Sequence, residues 1–143
     1  MIAVDTNILV YAHRKDSEWN EVAYEKLAEL AAGRATWAIP WPCIHEFLSV
    51  VTHPRIFAPP STTEQALDQV QAWLECPSLV LLAESGDYWS CLQALVIEAK
   101  LKGPAVHDAR IAALCRLHGI AELWTADRDF SRLDVNAQNP LIR

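Results

Sequence analysis

Short apolar runs alternate with helical stretches along almost the whole chain, and this alternation constrains the fold more than any other feature. Ile2 to Val4 reads as a short buried strand, followed by Asp5-Thr6-Asn7 and the apolar run Ile8 to Tyr11. Residues 18 to 32 are rich in Glu, Ala, Leu and Lys. Within them Trp19, Val22, Ala23, Leu27 and Leu30 form a stripe at helical spacing, and Gly33 is a natural stop. Ala35 to Ile39 is a second strand, stopped by Pro40, and Pro42 opens a helix that carries Glu46, Phe47 and Val50 and ends before Pro54. After a proline-rich loop over 54 to 62, Thr62 or Thr63 caps a helix to about Glu75, with Ala66, Val70, Trp73 and Leu74 facing inward. Leu79 to Leu82 is a third strand, and a helix capped by Ser85 runs to Lys100. Gly103-Pro104 breaks the chain, Val106 to Leu117 is helical up to Gly119, and Ala121 to Thr125 is a fourth strand. Val135 and Leu141-Ile142 supply a short edge strand. Strands joined through helices pair in parallel, and a parallel sheet needs cover on both faces. The expected fold is α/β, an α/β/α sandwich about a mainly parallel central sheet, in a single domain spanning residues 1–143.

Carboxylates punctuate this pattern where they are costly. Asp5 ends the first strand and Asp127 follows the fourth. Asp108 lies at a helix start, Glu46 one turn into its helix, and Asp129 close behind Asp127. Strand ends and helix N-termini of a parallel sheet face one edge, so these acids converge without unusual geometry. Convergence is opposed by repulsion: a carboxylate pair about 4 Å apart costs roughly 4 kcal/mol at an effective dielectric of 20. A divalent cation reverses that sign. Oxygen-only ligation, with no His or Cys at metal spacing, selects Mg²⁺, or Mn²⁺ in its place, over Zn²⁺. A plainer reading stands beside this one. Asp5 can cap a helix starting at Asn7, Asp108 can serve as a first-turn acid, Asp127 and Asp129 can form an Asx-type turn, and Glu46 can snorkel outward. On that reading the chain is a non-catalytic interaction domain.

Composition narrows the classes further. With 52% hydrophobic and 21% charged residues, the chain fills a core. A net charge of -6 argues against a broad nucleic-acid groove, yet leaves room for a small acidic site that meets phosphate through metal. Four cysteines without CxxC spacing read as small buried hydrophobes in a reducing compartment. No apolar run reaches transmembrane length and the first residues carry no basic region, so the expectation is a cytoplasmic protein without a membrane partner.

Four segments resemble the motifs of PIN-domain ribonucleases in their order: VDTNILVYA at 4–12, IHEFLSV at 44–50, HDARIAAL at 107–114 and TADRDF at 125–130. The nearest likeness is to the VapC-type toxins of type II toxin–antitoxin pairs. HPRIF at 53–57 resembles one branch of them, and the likeness runs from residue 1 to about 133. The resemblance implies a PIN-like fold and a Mg²⁺- or Mn²⁺-dependent endoribonuclease, held inactive by a cognate antitoxin and forming a homodimer. It implies Asp5, Glu46, Asp108 and Asp127 as the catalytic, metal-binding quartet and Asp129 as a further metal ligand, with Asn7 and Thr125 in support. Water activated by the metal would then cut RNA to 5′-phosphate and 3′-hydroxyl ends, with a transfer RNA or ribosomal RNA loop as the expected target. A phosphatase or DNA nuclease is the enzymatic alternative. An aspartyl phosphatase wants DxD after the first strand, where this chain has DTN.

Substrate contacts are expected from Arg14, Lys15, Arg110 and Arg128, which lie near the acidic motifs, the alternative being plain surface charge. Trp41 is a candidate for stacking on a base, whereas Trp37, Trp73, Trp89 and Trp124 read as core or interface packing. His45 and His107 read as packing or hydrogen-bonding groups, and His13 as a group that could approach substrate.

Overall fold

The structure, a computed structural model, describes residues 1–142. Five strands, β1 (Ile2–Val4), β2 (Trp37–Pro40), β3 (Leu79–Leu82), β4 (Glu122–Trp124) and β5 (Ala137–Gln138), form one sheet in the order β3-β2-β1-β4-β5. Every pairing is parallel. Six helices flank it: α1 (Thr6–His13), α2 (Asn20–Ala32), α3 (Trp41–Val51), α4 (Thr63–Leu74), α5 (Tyr88–Glu98) and α6 (Val106–Leu117). The α/β/α sandwich expected from the alternation is present.

The chain moves outward from β1 to β2 to β3, then returns across the sheet to β4. Right-handed crossovers place α1 to α4 on one face and α5 and α6 on the other. In keeping with this, α1 packs on α2 and α3, and α5 packs on α6. The strand order therefore reverses between β1 and β4. Open α/β sheets bind ligands in the crevice at such a point, outside the carboxyl ends of the strands. Here the register is Ile2 on Glu122, Ala3 on Leu123 and Val4 on Trp124. The residues that leave the sheet together are thus Asp5 and Thr125, and Asp5 N–H still donates to the Trp124 carbonyl at 2.9 Å.

The core is continuous through both layers. Ala3, Val4, Ala38, Ile39 and Leu123 are fully buried in the sheet, with Ile8, Leu9, Phe47, Ala112 and Leu114 packed on it. Trp37 is also buried and donates its indole N–H to Ser78 Oγ at 3.0 Å. Trp124 is buried and Trp73 partly so, whereas Trp89 is 67% exposed on α5 and Leu74 is exposed too. Cys43 and Cys115 are buried, but Cys76 and Cys91 only partly.

Several boundaries differ from expectation for local reasons. The run after Asp5 is a helix that begins at Thr6, one residue before the position the capping alternative assigned. Pro40 ends β2 from within, opposite Leu82, because a terminal strand residue can forgo its N–H. Helix α4 is capped as expected by Thr62, which forms a reciprocal capping box with Gln65 at 3.1 and 2.9 Å. Helix α5 starts three residues after Ser85, because Gly86 turns the chain at φ 50°, and Asp87 precedes it without a side-chain cap. It ends at Glu98, because Lys100 takes a left-handed conformation at φ 53°. The edge strand is Ala137–Gln138, set by pairing with Leu123 and Trp124, and not Val135 or Leu141-Ile142.

Phe47 fastens α3, and with it Glu46, to the core. It is fully buried and meets Trp73 edge-on at 4.8 Å and His13 at 5.2 Å. Phe47→Ala should cost about 3–5 kcal/mol of folding stability in urea unfolding at unchanged m-value. Trp89→Ala, on the exposed face of α5, should change the stability of the isolated protomer by no more than about 0.5 kcal/mol.

Candidate active site

Asp5 is the buried end of the site, only 7% exposed. Its Oδ1 accepts from the Thr6 backbone N–H at 2.8 Å, capping α1, and from Cys43 Sγ at 3.5 Å. Its Oδ2 accepts from Thr125 Oγ1 at 2.8 Å and from Asn7 Nδ2 at 3.4 Å. Burial pushes its carboxyl above the ordinary aspartate range. The bonds from Thr125, Thr6 and Cys43 pull it back, and the negative charge of Asp127 adds to the rise.

Thr125 is the hub of this arrangement. While donating to Asp5, its hydroxyl accepts from Asn7 Nδ2 at 3.2 Å and from the Asp127 N–H at 3.0 Å. One donor and two acceptor positions are all that a hydroxyl has. Asn7 Oδ1 in turn accepts from the Ala126 N–H at 3.1 Å. The turn after β4 is thereby bound to the start of α1, and Asp127 is fixed relative to Asp5.

Asp5, Glu46, Asp108 and Asp127 all line one cleft of about 630 Å³ at the carboxyl edge of the sheet. Asp129 lies outside its lining but close to it. One carboxylate oxygen each from Asp108, Asp127 and Asp129 lies within 4.8 Å of the others. Asp127 Oδ1 also accepts from the Asp129 N–H at 2.8 Å, the Asx turn of the plainer reading. Capping thus accounts for part of Asp5 and Asp127. Asp108 is likewise the first-turn acid of α6 that the plainer reading allows, and Glu46 is exposed on α3, yet both line the same cleft as Asp5 and Asp127. Both carboxyls are raised, first by burial and then by neighbouring acids: Asp127, Asp129 and Glu46 for Asp108, and Asp5 for Glu46. Arg110 opposes the shift of Glu46.

This donor set suits a hard divalent cation. Three carboxylates already group tightly, two more face the same space, and neither His nor Cys shares the group. The Thr6 hydroxyl adds an independent sign, being buried at the cleft with no hydrogen-bond partner. Unsatisfied buried hydroxyls are rare outside sites that complete themselves with a ligand or water. Thr6 and Cys43 escaped the sequence reading. Cys43 lies three residues before Glu46 and so on the same helix face, the one signal that could have pointed to it.

The cations divide sharply. Arg110 is the one Lys or Arg among the described residues lining the cleft, and its Nε is buried without a partner. Arg14 is occupied elsewhere. It pairs with Asp16 at 2.6 Å, donates to Ser61 Oγ and the Pro59 carbonyl, and lies 4.2 Å over the Phe57 ring. Lys15 lines a separate cavity beside Pro59 and Pro60. Arg128 lines a third, which shares Asp127 with the acidic cleft. His13 is tied to Gln69 at 3.2 Å and Ser61 at 2.9 Å, away from the acids. His45 and His107, expected to pack or hydrogen-bond, are exposed at the cleft rim. Trp41 flanks the cleft in an adjoining cavity that shares Pro42, His45 and Arg110 with it.

Comparison with known proteins agrees with this fold. The model of the PIN domain family matches residues 2–136. The chain is 30% identical over 130 residues to the Mycobacterium tuberculosis protein named Ribonuclease VapC48, covering 91% of this chain and 90% of the relative. Among solved structures it is similar to VapBC2 from Rickettsia felis bound to a promoter DNA fragment, with a TM-score of 0.72 at 24% identity, covering 97% of this chain and 98% of that one. It is also similar to Mycobacterium tuberculosis VapC20, described as a Sarcin-Ricin loop cleaving toxin, with a TM-score of 0.69 at 14% identity, covering 92% and 93%. On the match to the family model and the likeness to these relatives, the chain belongs to the PIN-domain family, alongside the VapC-type toxins.

Proposed function

We propose that this protein is a Mg²⁺-dependent endoribonuclease, active also with Mn²⁺, that cuts a structured RNA and acts as a growth-inhibiting toxin neutralised by a cognate antitoxin. The observation that carries this reading is the meeting of Asp5, Glu46, Asp108 and Asp127 in one cleft, with Asp129 beside them, in a chain similar to VapC ribonucleases. Among the described residues no helix is long and apolar enough to cross a membrane.

Asp108, Asp127 and Asp129 would hold the ion, and Asp5 would complete its surroundings from the buried side. When bound, the ion supplies Lewis acidity toward the attacking water and the phosphate oxygens. The side chains do the rest. Thr125 and Asn7 keep Asp5 and Asp127 in one orientation, which removes reorganisation from the reaction. Burial and then Asp5 raise the proton affinity of Glu46, against the pull of the nearby Thr6 hydroxyl and Arg110. Glu46 accepts the proton of the attacking water at its carboxylate. Water attack at phosphorus, with the 3′ oxygen departing, leaves a 5′-phosphate and a 3′-hydroxyl. A transfer RNA or a ribosomal RNA loop is the target class that suits so acidic a chain, since recognition must rest on a local shape and not on long-range attraction. The antitoxin partner is supported by the solved complexes to which the chain is similar. Homodimer formation is supported by exposed Trp89 and Ile97 on α5.

Asp108→Asn should fold normally and lose more than about 100-fold in metal-dependent RNA cleavage. Thr125→Val should lose roughly 10- to 100-fold, since the positions of the acids slacken while the acids remain. Full activity in Asp108→Asn under identical Mg²⁺ would remove the site assignment.

Mn²⁺ should raise the melting temperature of the wild type, and at 100 times its Kd it contributes about 2.7 kcal/mol. Asp108→Asn combined with Asp129→Asn should abolish that rise. A wild-type protein whose melting temperature ignores both Mn²⁺ and Mg²⁺ would speak for acids that serve only as caps.

The metal-free protein makes a further prediction. Asp5, Glu46 and Asp108 have carboxyls raised above their ordinary values of 3.8, 4.5 and 3.8, so folding favours their protonated forms. Their contribution is present at acid pH and is lost as pH rises through the raised values. Asparagine imitates the protonated carboxyl. In EDTA, Asp108→Asn should therefore melt a few degrees above the wild type near neutrality, and the gap should close below about pH 4. Thermal melts across that range decide it, and a gap independent of pH would contradict the electrostatic account.

A further inference from the structure

Beside the acidic cleft lies a smaller cavity of about 280 Å³. The two share a border at His45 and Arg110. Trp41 and His45 stand one turn apart on α3, with ring centroids separated by 6.3 Å and planes 29° apart. Both are exposed, Trp41 by 36%. Trp41 and Ala83 give the cavity its accessible apolar lining, with Leu82 and Leu114 buried behind it, and Glu84 adds a carboxylate at its edge. Arg110 completes the border. Its Nε is buried without a partner, and among the described residues its guanidinium forms no ion pair.

Each part has a chemical preference. Nearly parallel exposed rings over an apolar wall favour a flat aromatic group, since every nucleobase offers a π-face. Glu84 repels phosphate, so the cavity itself suits the uncharged part of a nucleotide. A guanidinium with unused donors at the margin of an acid cluster suits a phosphate, which its planar fork matches. The cavity is too small for a duplex end, and a stacked base pair would not expose its face.

We infer that Trp41, His45 and Arg110 form a nucleobase subsite that seats one unpaired base of the RNA, with Arg110 holding the phosphate between that base and the acids. This deepens the ribonuclease reading above and rests on it for the identity of the nucleic acid. The subsite selects single-stranded segments: a base enters only where it is free of its complement. Trp41 and Arg110 are binding groups here and take no part in proton transfer.

The test uses a short single-stranded RNA carrying 2-aminopurine, whose fluorescence is quenched on stacking, and the same strand annealed to its complement. Binding is followed with Ca²⁺ present, and cleavage with Mn²⁺. For the wild type, the single strand should be quenched on binding and the duplex should not. Trp41→Ala should weaken binding of the single strand roughly 5- to 100-fold and raise KM correspondingly, with kcat nearly unchanged. Trp41→Phe should restore most of the affinity, which separates stacking from any damage to the start of α3. Arg110→Gln should lower the salt dependence of binding by about one phosphate contact. Trp41→Ala that folds, binds and cleaves like the wild type overturns the subsite and leaves the ribonuclease reading standing. Trp41-dependent quenching, with no cleavage by the wild type of that strand or of total transfer and ribosomal RNA, overturns the ribonuclease reading and keeps the subsite. Neither quenching nor cleavage by the wild type overturns both.

Discussion

One hydrogen bond, from Thr125 Oγ1 to Asp5 Oδ2 at 2.8 Å, joins the two strand ends on which the site depends. It exists because β1 and β4 are neighbours in parallel register, so that Asp5 and Thr125 leave the sheet side by side. A buried carboxylate without such donors would be expensive to keep charged. The same hydroxyl receives the Asp127 N–H, so the buried acid and the more exposed acid share one anchor. The order of the sheet, the burial of Asp5 and the position of Asp127 are therefore one arrangement seen from three sides.

Around that anchor the molecule separates structural from reactive charge. Arg14 and Asp16 satisfy one another on the far side of α1, and their pairing holds the proline-rich loop. Arg116 is spent on Glu98 and Asp134. Among the described residues Arg110 is the one arginine or lysine that lines the acid cleft, and it does so without an ion pair there. The cleft thus stays negative, and burial first, then the neighbouring acids, raise the proton affinity of Asp5, Glu46 and Asp108. An ensemble of acids held in that condition is poised for a cation, and the protein gives up some stability to keep it so.

Much of this was legible in the residues, and the parts that were not have physical reasons. Strand–helix alternation specified the layers, and Asp5, Glu46, Asp108 and Asp127 stood out as acids inside apolar segments that the topology brings to one edge. The two-residue strand β5 was misplaced, because so short a strand has no pattern and takes its register from Leu123 and Trp124. Arg14 and Lys15 are near Asp5 in sequence but not at the cleft. Helix α1 carries the chain away from the sheet edge by about 12 Å over its eight residues. Arg110 stays, because it follows Asp108 within the first turn and a half of α6. The bond of Thr6 N–H to Asp5 is the local cap that adjacent residues announce, whereas the bond of Cys43 to Asp5 depends on a helix N-terminus and a helix face meeting in space.

The central position of β1 has a consequence for biosynthesis. Its strand leaves the ribosome before the other four strands of the sheet, yet its partner on one side is β4, more than a hundred residues later in the chain. A nascent chain that has reached β3 already contains Asp5 and Glu46, with an open edge on β1 and none of the later acids. Asp108, Thr125, Asp127 and Asp129 arrive together within the next stretch, and the β1–β4 pairing gathers them in one event. A ribosome stalled before β4, or a protease that cuts just ahead of it, therefore releases a chain that holds Asp5, Glu46 and Asp108 but lacks Thr125, Asp127 and Asp129, and so cannot assemble the cluster.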